Sequence, residues 1–136
     1  MFFKKKIEDK NTDLEKVAAL LIHAAKIDEN YSDDEKEIIK KTLSKLGAND
    51  QKILMTIKKG EEIEEASNQI LDFTKEIKKM NEPNKIKIIE TLWQIIYSNK
   101  KADLYETNLM RRLAGLLYID NKTMGDIKEK IKNKRS

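Results

Sequence analysis

Almost nothing in this chain can interrupt a helix. Its 136 residues include four glycines and one proline, and no stretch sustains the period-two alternation of a half-buried strand. Apolar residues recur with helical spacing instead. Leu14, Val17, Ala18, Leu21 and Ala25 share one helix face, and Thr12 with Glu15 forms a capping box expected to start that helix. Ser32 with Glu35 is a second box, ahead of Ile38, Ile39, Leu43 and Leu46, and Gly47 occupies the place that commonly ends a helix. Asn49 or Asp50 is expected to open a third helix through Ile53, Leu54 and Ile57, bent or broken at Gly60 before Ile63 and Ala66. Ile70, Leu71, Phe73 and Ile77 mark a short fourth. Past Pro83, Ile86, Ile89, Trp93 and Ile96 make one apolar stripe beside another of Ile88, Leu92 and Ile95. So wide an apolar arc predicts the central, most buried helix. Asp103 with Glu106 is a third box, before Leu109, Met110, Leu113, Leu116 and Leu117, and a last helix is expected from Thr123 to Ile131. The fold class is all-α, a compact bundle of about seven helices joined by short loops.

The length suits one domain, assigned to residues 12–132, between a flexible basic tail at 1–11 and a short tail at 133–136. There are 28 Lys and Arg against 24 Asp and Glu. The signs are interspersed, which fits a solvated surface better than a nucleic-acid stripe. Cysteine is absent. That excludes disulfides, thiolate zinc sites and cysteine nucleophiles, and it suits a reducing, cytoplasmic setting. The longest apolar runs, Val17–Ile22 and Leu92–Tyr97, fall well short of the roughly 20 residues of a membrane span. The opening MFFKKK lacks the apolar core of a secretory signal. A short basic-aromatic segment of this kind supports at most weak peripheral membrane contact.

The stretch DENYSDDE, residues 28–35, places five carboxylates in eight positions, and NKKADLYE, residues 99–106, repeats its frame. Asp28 and Asn99 stand 71 positions apart, as do Glu35 and Glu106. At the same offset Leu21 meets Leu92, Ala25 meets Ile96, Ile38 meets Leu109 and Leu46 meets Leu117. Each half therefore reads as an apolar helix, a polar loop, a capping box and a second apolar helix, and two pseudo-symmetric helix-loop-helix halves are expected. AKIDENYSDDEKEII, followed by LWQIIYSNKKADLYETNLMRRLAGLLY, resembles the tellurite-resistance protein B (TerB) family, in particular its small stand-alone members. The resemblance runs from about Leu14 to Ile131. It also implies kinship with the N-terminal domain of a membrane-anchored J-domain co-chaperone. It implies an all-helical fold, and an acidic, cation-binding region where the two loops sit. The family pattern has Asp-Gly at the end of each first helix. This chain has Asp28-Glu29 in the first copy and Asn99-Lys100 in the second.

Two readings of the acidic loop follow. An EF-hand is excluded, because position 6 of a loop counted from Asp28 is Asp33 rather than Gly, and position 12 is Ile39 rather than Glu. In one reading, Ser32 and Glu35 cap a helix whose first turn carries Asp33 and Asp34, as the helix dipole favours. In the other, Asp28, Asp33, Asp34 and Glu35 hold Ca²⁺ or Mg²⁺ weakly, with Asn99, Asp103 and Glu106 as the second-repeat counterpart. Asp28 favours the second reading, since a carboxylate at a helix C-terminus faces the negative pole of the dipole. Lys100 and Lys101 oppose it by charge.

Other chemistry finds little footing. His23 is the sole histidine, and its i+4 neighbour is Ile27, so it reads as a partly buried interfacial residue. No Ser stands in a Gly-x-Ser-x-Gly elbow, and the glycines are isolated, so no phosphate loop is present. Glu61, Glu62, Glu64 and Glu65 read as a solvated helix face. Arg111 and Arg112 are candidate anion or partner contacts, or else salt-bridge to Glu106 or Asp103. The expectation is a non-enzymatic TerB-like domain, stress-linked and weakly cation-modulated, that contacts a protein partner of unknown identity. The alternatives are a specific divalent-metal-binding protein and, last, nucleic-acid or anionic-membrane binding through the basic tails. The tail of Lys128, Lys130, Lys132, Lys134 and Arg135 lacks the aromatics that stack on bases.

Overall fold

The computed structural model describes residues 2–27, 31–67, 69–98 and 104–135, with the side chains of 2–12, 104–107 and 135 outside the description. Among the described residues the chain is all-α. Seven helices follow in order: α1 Phe2–Lys26, α2 Asp33–Lys45, α3 Ile53–Ala66, α4 Leu71–Ile77, α5 Glu82–Ser98, α6 Leu104–Leu116 and α7 Asn121–Arg135.

The Ser32 box forms as its sequence requires. Ser32 Oγ accepts from the Glu35 N–H at 3.2 Å, and Glu35 Oε1 accepts from the Ser32 N–H at 2.8 Å. Three boundaries differ from expectation. α1 begins at Phe2 rather than at Thr12, so most of the segment read as a flexible tail is written in helix. The stretch FFKKKIEDKN contains no glycine or proline, and a capping-box pattern has no force where the helix is already running. α3 begins at Ile53, because Asn49 Oδ1 accepts from the Gln51 N–H at 2.9 Å and holds residues 49–52 in a turn. α7 begins at Asn121, capped by Asp120, whose Oδ1 accepts from the Thr123 N–H at 2.7 Å.

The wide apolar arc of α5 does place it centrally, with Ile88, Ile89, Leu92, Trp93, Ile95 and Ile96 all buried. It shares that place with α1. Val17, Ala18, Ala19, Leu20, Leu21 and Ile22 are each fully buried, all round the helix, and α1 packs against α2, α3, α4 and α5. Gly60 explains how α3 comes so near. It does not break α3; it is buried in mid-helix. A β-carbon there would lie 2.6 Å from Ala18 Cβ and 3.0 Å from the Ala19 backbone nitrogen. At the other end of the bundle, Lys85 is buried and donates from Nζ to the Leu117 carbonyl at 3.0 Å, satisfying one of the orphan carbonyls that end α6.

The turns that follow α2 and α6 share one hydrogen-bond pattern. After α2, the N–H groups of Leu46, Gly47 and Ala48 donate to the carbonyls of Thr42, Ser44 and Leu43 at 3.0, 3.0 and 2.9 Å. After α6, those of Leu117, Tyr118 and Ile119 donate to Leu113, Gly115 and Ala114 at 2.8, 3.4 and 2.9 Å. Each partner lies 71 residues beyond its counterpart. Both turns pass through a left-handed residue, Gly47 with φ 103° and Tyr118 with φ 58°. Of the helices around these turns, α1 packs on α3 and α5 packs on α7.

Two predictions follow from this backbone. Gly60→Ala gains helix propensity but forces α3 away from rigid atoms of α1. It should therefore cost about 1–3 kcal/mol in urea denaturation; an unchanged midpoint would mean that the helices are not in contact there. At the turns, Tyr118→Gly should raise stability by about 1 kcal/mol, while Gly47→Ala should lower it by about the same, because an L-residue in the left-handed region costs about that much.

Candidate functional site

The acidic loop is described only in part. Asp28 lies outside the described residues, as do Asn99 and Asp103, and the side chain of Glu106 is not described. Asp33 and Asp34 are exposed in the first turn of α2, and Glu35 is fully buried with Oε1 engaged by Ser32. Among the described residues, no three His, Cys, Asp or Glu side chains converge as metal ligands would.

What the fold does assemble is a cleft of about 600 Å³ where the end of α1, the start of α4 and the middle of α6 meet. Ile27, Ile70 and Leu109 supply its apolar lining, Gln69 and Asn108 its amides, His23 an imidazole and Arg112 a guanidinium. Ile27 is the last described residue before the acidic loop. Among the described residues no carboxylate stands within ion-pair distance of Arg112. Arg111 and Arg112 diverge, as neighbours on a helix must, about 100° apart. Arg112 lines this cleft, and Arg111 lines a separate recess beside Trp93.

Behind the cleft sits a polar triad. His23 and Lys26 are one turn apart on α1 and face Glu64 of α3. Lys26 Nζ donates to Glu64 Oε1 at 2.8 Å, and His23 Nδ1 lies 3.3 Å from Glu64 Oε2. The Glu64 side chain is only 13% exposed. The carboxylate therefore holds a proton on Nδ1 and fixes the ring, which also lies 6.0 Å from the Phe73 ring. Spacing along the sequence gave no sign of this partnership, since Glu64 lies 41 residues from His23. The acidic cluster is accordingly not one solvated face. Glu64 turns inward, and Glu62 pairs with Lys59 at 3.7 Å on the surface. Glu61 lies near Tyr31. Burial first, then the negative fields of Glu61 and Glu35, push the Tyr31 phenol above its ordinary value.

The triad sets a pH dependence. Burial alone would raise the Glu64 carboxyl, but hydrogen bonds from Lys26 and then His23 outweigh it and hold the group below its usual value. The Lys26 amine is raised, chiefly by its bond to Glu64. A depressed carboxyl contributes stability above its unfolded value of about 4.3 and loses it as pH falls through the folded value. A raised amine contributes below about 10.4 and loses it as pH rises through the folded value. Glu64→Gln should therefore lower stability by about 1–2 kcal/mol near neutral pH. It should also flatten the decline below about pH 4 and above about pH 10. Urea midpoints across pH check this, and parallel profiles for variant and wild type would refute it.

No curated protein and no solved structure matches the chain. The family described as tellurite resistance protein TerB does match, over residues 14–129. That span runs from the first core residue of α1, Leu14, into α7, and so includes the cleft, the polar triad and both left-handed turns. With most of its length accounted for in this way, the chain belongs to the TerB family.

Proposed function

We propose that this chain is a non-enzymatic, cytoplasmic TerB-family domain that works through protein–protein contact, with the His23–Arg112 cleft as the contact face. The observation that carries the reading is Arg112, a guanidinium without a carboxylate partner among the described residues, beside an aliphatic floor and two amides. Such a lining suits a partner segment that presents one carboxylate among apolar side chains, because Arg pairs with a carboxylate through two parallel bonds. Amides, aliphatic groups, one guanidinium and one tethered imidazole bind and orient better than they attack. No helix of the described residues is long and apolar enough to cross a membrane. The stress-linked role belongs to the same proposal. So does weak cation modulation, with Ca²⁺ or Mg²⁺ engaging Asp28, Asp33, Asp34 and Glu35.

The test is capture of partners from the native cell by wild type and by Arg112→Glu, which reverses charge at an exposed position. One or more partners should be lost with the variant while its helical content is unchanged. An identical partner set would refute the cleft as contact face. Cation modulation is checked by denaturation with and without millimolar Ca²⁺. Selective binding to the native state raises stability by RT ln(1 + [L]/Kd), about 2.7 kcal/mol at a hundred times Kd. A gain of a few tenths, lost in Asp28→Asn, is expected; no gain in wild type would refute modulation.

A further inference from the structure

The sole tryptophan stands apart from the cleft. Trp93 is 3% exposed, stacks on Tyr97 with ring centroids 5.9 Å apart, and lies under Lys128, whose Nζ is 5.4 Å from the ring centroid. Its indole N–H is buried, and no acceptor among the described residues lies within hydrogen-bonding reach. Buried indole N–H groups usually find a partner, and leaving one without is costly. The same side chain lines a recess of about 160 Å³ between α5, α6 and α7. Met110, Ala114 and Met124 make the rest of its apolar wall, and Arg111, Lys128 and Asn121 are its other polar groups.

No acid lines this recess, and among the described residues neither Arg111 nor Lys128 has a carboxylate within 4.0 Å. The acid one turn before Trp93 on α5 is engaged elsewhere. Glu90 pairs with Lys130 at 3.6 Å. Two cations and a buried N–H without an acceptor thus meet above thioether and methyl groups. Gly125 forms another part of the wall, and a β-carbon there would meet nothing within 4 Å, so α7 leaves that side open.

We propose that the recess between α5, α6 and α7 binds a carboxylate carried on a short aliphatic body, the chemistry of a peptide C-terminus ending in a leucine-like residue. Arg111 takes the carboxylate through its planar fork, and Lys128 leaves the ring face to join it. The indole N–H of Trp93, which has no acceptor among the described residues, becomes the third donor. The aliphatic body rests on Met110, Ala114 and Met124. A free phosphate would satisfy the cations but leave the apolar wall unused.

The full chain carries its own reporter, because one tryptophan gives one indole N–H resonance. The probes are N-acetyl-leucine, N-acetyl-leucinamide and inorganic phosphate, added to ¹⁵N-labelled protein at constant ionic strength. N-acetyl-leucine should shift the indole resonance saturably, and the amide and phosphate should bind at least about ten-fold more weakly, the equivalent of one lost charge-assisted contact. Arg111→Gln should weaken binding about ten-fold, and Lys128→Gln should weaken it severalfold. Gly125→Leu should fill the recess and abolish the shift; because leucine favours helix over glycine, its melting temperature should not fall, which separates blocked binding from misfolding. Lys58→Gln, on the exposed face of α3, removes the same charge elsewhere and should bind as wild type does. Any of three results would overturn the proposal: no saturable shift with N-acetyl-leucine, an equal shift with its amide or with phosphate, or undiminished binding when both Arg111 and Lys128 are replaced.

Discussion

The contact on which the rest of the bundle depends is the one between Gly60 and the Ala18–Ala19 step. Two helices can come this close only where one of them lacks a β-carbon and the other carries nothing larger than a methyl. The two run in the same direction there, so one turn farther on His23 follows Ala19 and Glu64 follows Gly60. Close approach at the first level fixes the bond at the second, and His23 meets Glu64 at 3.3 Å. The polar triad behind the cleft therefore rests on a wholly apolar contact. It needs no loop to position it, since His23 and Lys26 stand in the last turn of α1 and Glu64 near the end of α3.

Helix α6 divides the other functional features. Its two arginines point to different sides, one toward the cleft formed with α1 and α4, the other toward the tryptophan recess formed with α5 and α7. Both surfaces join an aliphatic or thioether lining to a guanidinium with no acid beside it among the described residues. With a net charge of only +4 spread over many interspersed charges, it is local arrangement rather than overall charge that makes these places attractive to a carboxylate.

How much of this could be read in advance depends on the range of each interaction. The helices were legible because their signal is periodic and local, and so was the Ser32 box, whose members are three residues apart. The same locality misled at Thr12, where a cap pattern lies inside a helix that begins ten residues earlier. Gly60 has the composition of a breaker, and only its neighbour on α1 shows that it is there for contact. Glu64 looked like one of four surface acids; its partners are 38 and 41 residues away, beyond any spacing rule. The divergence of Arg111 and Arg112 was implicit in helical geometry, but which cavity each would meet depended on α1, α5 and α7. The head of the acidic loop, Asp28 to Asn30, lies outside the described residues, whereas its Ser32–Glu35 end is the capping box that the sequence spacing announced.

Tyr118 has a further consequence. It occupies the left-handed position that glycine takes in the matching turn, with 72% of its surface exposed and Lys78 Nζ 5.9 Å from its ring centroid. The two corners of the bundle therefore differ in how firmly they are latched. Conformational strain at Tyr118 lowers the free energy of opening the α6–α7 corner relative to the α2–α3 corner. Of the two helices that follow these turns, α7 is then the first to lift away, as a cooperative local unit while the α1–α3 pair stays closed. Because α7 forms one wall around Trp93, that fluctuation uncovers a buried aromatic of the core without unfolding the domain.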